Sequence, residues 1–424
     1  MWGRLAWVVF WLSAALVVVQ AVSLTNRAAR GESDFGVFYR TAHLLADGAG
    51  GELYEERDSA TGWPISIPPA GMAMFQLFSY LRPAVAGAAW GAFNLLLCAL
   101  ALLALRRIFE RSEASRSELS IAFPWLGSVF LVLASGSVQV GQFSVLFVAC
   151  WVFALYFVVI GKESRSMLVW AVPSAIKLYP LLMFAVPLAT SEDRRAALRR
   201  VGWFVLSLFF LWFIVPSLFY GTRVWELNAS FFENVVLDPS GRVKWMQALG
   251  SNANQSLDAA LIRYLSYYPK FHDRYGWMPT ANWDLDLVRM LGHAVRIMFI
   301  LATIKATLRW RANRPVFGVY DLLVMSAMWS STLWVCMPET RARYAVYAFL
   351  GFIPLALWAM RPLEPRLKRW RIATFVATLM FVAGFLPQFW EIIGIGFLGS
   401  LALWVFNLSF VLSRRPDRAP QVVR

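Results

Sequence analysis

"MWGRLAWVVFWLSAALVVVQAVS", residues 1–23, decides how the rest of the chain is read. One arginine, an apolar run and a close of small residues give it the outline of a cleaved leader. The run is too long for a leader's core. At about 1.5 Å per residue it spans the roughly 30 Å hydrocarbon layer of a bilayer, so we read a retained first membrane helix over 5–24. The 424-residue composition agrees, with 59% hydrophobic and 15% charged residues. Soluble domains carry about a quarter charged.

Further apolar runs follow at 84–105, 121–138, 141–160, 201–219, 287–308, 319–337, 344–360, 372–386 and 392–412. The expectation is a single all-α, polytopic membrane unit over 1–424. It has about ten full spans, plus short re-entrant or juxtamembrane helices. Two apolar stretches, 65–81 and 167–190, would upset the alternation. Prolines open or interrupt both, and broken helices at membrane depth are tolerated where protein or a water-filled cavity surrounds them.

The formal charge of +15 would point to nucleic acid in a soluble protein. Here Arg4 and the clusters at 106–116, 161–165, 192–200, 305–314, 361–371 and 413–424 hold 24 of the 40 Lys and Arg, and the remainder is close to neutral. Cytoplasmic loops retain Lys and Arg. The clusters therefore mark one face and the cytoplasmic tail 413–424, and no nucleic acid is needed to explain the charge. The first helix then runs outward. It places loop 25–64 and the long loop 221–286 on the extracytoplasmic side of a cell membrane, the plasma membrane if the source is bacterial. Cys98, Cys150 and Cys336 fall inside apolar spans and read as small core residues.

The polar residues left on the outer side converge. Asp34 heads a helix that also carries Arg40 and His43. Gln142 lies in the turn "SVQVGQFS" (137–144), and Lys177 and Tyr179 in the break "AIKLYP" (175–180). Asn254 and Gln255 follow in the long loop, then Arg341 and Arg343 in "CMPETRARY" (336–344). Ionisable groups at such depth usually serve a path, a site or a pair, so one shared cavity is expected.

The ordered series "SDFGVFYRTAHLLADGAGGELYE", "IPPAGMAMFQLF", "GQFSVLFVACWVFAL", "AIKLYPLLMF", "NANQSL" resembles glycosyltransferase family 87, of the GT-C superfamily, from the first helix to about residue 260. The resemblance implies an inverting transfer on the outer side. The donor is a sugar on a polyprenyl phosphate, with mannose first in expectation and a pentose as the alternative. The acceptor is a hydroxyl of a glycan or glycolipid. It also implies that Asp34 is the base. Lys177, Arg341 and Arg343 are then candidates for the phosphate, and Gln142, Asn254 and Gln255 for sugar hydroxyls. Arg40, His43 and Tyr179 are candidate substrate contacts. No cofactor and no metal are expected. Members of this family often carry histidine in a late Ser/Trp/His-rich stretch. This chain has Glu339, Arg341 and Arg343 there instead.

Plainer readings stand beside these. Asp34 and Ser33 are favoured helix caps. Lys177 is also placed to snorkel, and Arg341 and Arg343 to anchor at the interface or pair with Glu339. The "DLD" of 284–286 reads as a solvated helix start rather than a metal–nucleotide motif. The competing functional classes are a transporter or flippase of a lipid-linked sugar, with the same cavity and no bond made, and a structural membrane subunit.

Overall fold

The computed structural model describes residues 2–56, 58–112, 116–237, 253–276, 278–314, 317–359, 376, 380–381 and 395–413. Most of those residues are helical, with no strand among them. Seven helices are long and apolar enough to cross a bilayer: Gly3–Ala29, Pro83–Glu110, Ser120–Val140, Arg194–Leu237, Leu285–Ala312, Val319–Cys336 and Ile395–Leu412. The first belongs to α1 (Trp2–Ala29), which packs on α4 (Pro83–Glu110) and α5 (Arg116–Val140). The opposite face of α1 presents Val8, Trp11, Leu12, Val19 and Val22 outward. A soluble protein would hide such a row; a bilayer solvates it.

Two of the expected spans take a different form. The 141–160 span is α6 (Ser144–Val159), apolar on every side and buried from Ser144 to Val152. A helix without a polar face belongs in the middle of a bundle. The 344–360 span is an 11-residue 3₁₀ stretch, Ala342–Phe352, followed by the short helix Ile353–Ala359. Of the expected span 372–386 only 376, 380 and 381 are described, and the tail 414–424 lies outside the described residues.

The proline-broken stretches are short, as expected. In 65–81, α3 (Pro69–Ser79) starts at a proline, where no N–H is needed. In 167–190, α7 (Glu163–Ile176) contains Pro173 and stops before Lys177, whose backbone is extended. A 3₁₀ turn, Tyr179–Phe184, and the helix Ala185–Ala189 lead back. Arg200 shows where the return ends. It donates to Glu163 at the start of α7 (3.0 and 3.3 Å) and to Pro187 O (2.6 Å) and Ser191 Oγ (3.3 Å) at the far end. Residues 163–191 therefore form a re-entrant hairpin with both feet on the basic face and its break, at Lys177, deep in the bundle.

The opposite end of the bundle is built on rings. Phe35 and Phe38 come from α2 (Ser33–Ala46), Phe75 from α3, Trp90 from α4 and Phe143 from the α5–α6 turn. Their centroids lie 4.8–5.7 Å apart in pairs such as Phe75–Trp90, Phe38–Phe143 and Phe75–Phe143, spacings typical of attractive aromatic packing. Trp90 Nε1 also donates to Gly141 O at 3.0 Å. Gly141 has φ +73°, and a Cβ on it would lie 2.6 Å from the Phe35 Cβ. Only glycine suits both the turn and the approach of α2.

Candidate active site

The turn between α1 and α2 sets the position of Asp34. Gly31 takes φ +68°, and Ser33 takes φ +74°, in the left-handed region that side chains disfavour. Glu32 occupies the cap position of α2, and no side chain caps it. The capping reading of Asp34 therefore does not hold. Its carboxylate lies in the first helical turn and is bound elsewhere.

It is bound to Arg343. The Nη1 of Arg343 donates to both oxygens of Asp34, at 3.1 and 3.0 Å, and Nη2 donates to Glu339 Oε1 at 3.2 Å. Arg341 Nε lies 2.6 Å from the same Glu339 oxygen. The helix ending at Cys336 delivers these residues. Met337 is extended, as residues before proline prefer, and the chain stays irregular until the 3₁₀ stretch begins at Ala342. The plainer reading, in which Arg341 and Arg343 pair with Glu339, holds for both, and Arg343 adds Asp34.

Lys177 differs. Its ammonium lies over the rings of Tyr344 (5.0 Å) and Tyr179 (5.8 Å), and no carboxylate touches it among the described residues. Asp34, Gln142, Lys177, Glu339, Arg341 and Arg343 line one cavity of about 300 Å³ with Trp63 and Tyr344 in its wall. Arg343 sits over both of those rings, at 5.7 and 5.1 Å. Such a chamber can hold an anion against three cations, with two carboxylates, Asp34 and Glu339, beside them.

The remaining candidates fall elsewhere. Arg40 grips Asp58 with two bonds (2.6 and 2.7 Å) and Gly31 O with a third (2.7 Å), which fixes the turn that carries Asp34. It does not line the cavity; it positions. His43, half-buried, sets its ring edge against Tyr39 and is also outside the lining. Tyr179 shares a 3.0 Å hydrogen bond with Tyr347. Asn254 is buried, and its Oδ1 accepts from Thr340 N at 3.0 Å, while Gln255 N donates to Thr340 O at 2.7 Å. The pair holds residue 340, between Glu339 and Arg341, from behind. Asp284 accepts from the N–H groups of Asp286 and Leu287, so "DLD" is a helix start. Trp63, Glu339 and Tyr344 are cavity residues absent from the expected set. Glu339 was readable only as a partner of the arginines, and Trp63 carried no signal beyond its place in an outer loop.

Two apolar grooves reach the same region. One, about 540 Å³, runs past Leu178, Tyr179, Leu188, Ile304, Trp329 and Met337. The other, about 320 Å³, runs past Leu178, Leu181, Val205 and Phe213. Lys177 lines the charged cavity, and its chain neighbours Leu178 and Tyr179 line the grooves.

A polytopic helical bundle with a charged, ring-walled cavity beside lipid-suited grooves defines a membrane protein that handles polar and apolar groups together. Residues 67–338 match glycosyltransferase family 87, well over half of the sequence, and the chain belongs to that family. It is a membrane glycosyltransferase. No curated protein matches it. The matched span begins and ends later than the sequence resemblance did. It contains Gln142, Lys177, Tyr179, Asn254 and Gln255, while Asp34, Arg40, His43, Arg341 and Arg343 lie outside it.

Proposed function

We propose that the chain moves a sugar, mannose first among the candidates, from a polyprenyl-phosphate donor to a hydroxyl of a lipid-linked or cell-envelope glycan. The reaction takes place on the extracytoplasmic side of the plasma membrane, with inversion. One observation carries the reading: a buried carboxylate, Asp34, shares a cavity with Lys177, Arg341 and Arg343, and apolar grooves adjoin that cavity at 177–179. A lipid-borne phosphate needs both surfaces, cations for its head and an apolar track for its chain.

The step balances simply. The acceptor oxygen attacks the anomeric carbon from the face opposite the phosphate, and its proton passes to Asp34. The bond from that carbon to the phosphate oxygen breaks, and the electron pair leaves with the phosphate. Lys177 and the arginines offset the charge gathering there. Both reactants held in one small cavity gain from orientation as well.

Asp34→Asn tests this. The amide keeps the shape and cannot take the proton, so turnover with polyprenyl-phosphate-mannose should fall about 10²- to 10⁴-fold. Near-normal turnover would remove Asp34 as the base. Donor that crosses the membrane without product would favour the carrier class instead.

A further inference from the structure

The ion pair between Asp34 and Arg343 raises a chemical difficulty. Both oxygens of Asp34 accept from Arg343 Nη1, so the carboxylate cannot take up the acceptor's proton without giving up part of that contact. The Arg343 nitrogens that face Asp34 and Glu339 are, likewise, not free to neutralise a leaving phosphate. The two groups assigned to the reaction block each other as they stand.

We propose that Arg343 is handed from Asp34 to the phosphate during the transfer step, so that Asp34 and the phosphate compete for one guanidinium. The inference rests on Asp34 being the proton acceptor. Charge bookkeeping supports it. Before the step, Asp34 carries one negative charge and the donor phosphodiester carries one. Afterwards Asp34 is neutral and the released phosphomonoester carries up to two. The partner of Arg343 loses its charge in the same event that creates a stronger partner nearby. The planar fork suits phosphate as well as carboxylate.

The geometry permits the exchange. Arg343 Nε has no hydrogen-bond partner among the described residues. Nη2 is anchored on Glu339 at 3.2 Å, and the Trp63 and Tyr344 rings flank the guanidinium. The group can therefore pivot while Glu339 keeps hold of it. Lys177, with no carboxylate on its ammonium among the described residues, gives an arriving phosphate a first contact on the same cavity wall.

The exchange makes a prediction that a simple base does not. Asp34→Asn imitates the protonated state and releases Arg343, so it should bind the product head group more tightly than the unaltered protein. We expect about tenfold tighter binding of farnesyl phosphate to the protein in nanodiscs. The gain should vanish in the double variant Asp34→Asn/Arg343→Ala. Inorganic phosphate serves as a second probe. Tightening with both probes, or with farnesyl phosphate alone, supports the exchange, the latter adding a need for the apolar groove. Unchanged or weaker farnesyl phosphate binding, or a gain that survives the loss of Arg343, overturns it. Asp34→Ser is measured in parallel, so that a folding defect specific to asparagine does not decide the matter. Affinity and turnover separate the two claims: normal turnover removes the base, while unchanged affinity removes only the exchange.

Discussion

Helix α2 carries two aspartate–arginine contacts of opposite character. Arg40 and Asp58 form a closed unit. Arg40 places its third nitrogen on Gly31 O, and Asp58 accepts from both the N–H and the hydroxyl of Thr61. Arg343 and Asp34 form an open one. They line a cavity, and one nitrogen of the guanidinium has no hydrogen-bond partner among the described residues. Both are bidentate or nearly so, and distance alone does not separate them. What separates them is whether the remaining donors and acceptors are used up. A saturated pair acts as a brace, and an unsaturated pair beside a chamber is placed to exchange partners.

The sharpest way to break this comparison is to remove each aspartate in turn. Asp34→Asn should lower turnover by about 10²- to 10⁴-fold with little change in melting temperature. Asp58→Ala should do the opposite. Breaking a buried pair from one side typically costs about 3–5 kcal/mol, and Arg40 is a quarter exposed, so about 3 kcal/mol is expected. Thermal unfolding and turnover per folded molecule, measured on both variants, check the pattern. Equal losses of stability would show that the Asp34 pair is a brace too.

A smaller effect tests how α2 is seated. Gly141→Ala forces a Cβ against Phe35 in a backbone conformation that alanine resists. A loss of about 1–3 kcal/mol is expected, with turnover falling because Asp34 moves with Phe35. The smallest effect is with pH. Burial alone would raise the Asp58 carboxyl. The bonds from Arg40 and Thr61 outweigh burial and hold it below its ordinary value. A depressed folded value means that the stabilisation is complete above the unfolded pKa, about 4. It is lost as pH falls through the folded value. Melting temperature should therefore drop on acidification below about pH 4, and less so in Asp58→Asn, which has no proton to gain. An equal drop in both would assign the acid sensitivity to other carboxylates.

The helical membrane class was readable from residue 1 onward. Apolar runs of spanning length and basic clusters at alternate ends are properties of the chain itself, because bilayer thickness and charge retention act on local sequence. That 65–81 and 167–190 would hold short or interrupted helices was readable for the same reason, since proline's missing N–H is a local fact. The convergence of Asp34, Gln142, Lys177, Arg341 and Arg343 was expected from the sequence as one shared cavity, without its internal contacts. Which groups touch was not foreseen. Arg40 was expected at the substrate and braces a turn; Asn254 was expected at a sugar and holds Thr340. Arg343 was expected at the phosphate or paired with Glu339, and it also grips Asp34 across 309 residues of sequence. Composition and local pattern determined that this chain is a helical membrane protein and where its helices break. Only tertiary structure decided which carboxylate meets which guanidinium, because a salt bridge depends on separations of a few ångströms between segments that no local rule relates.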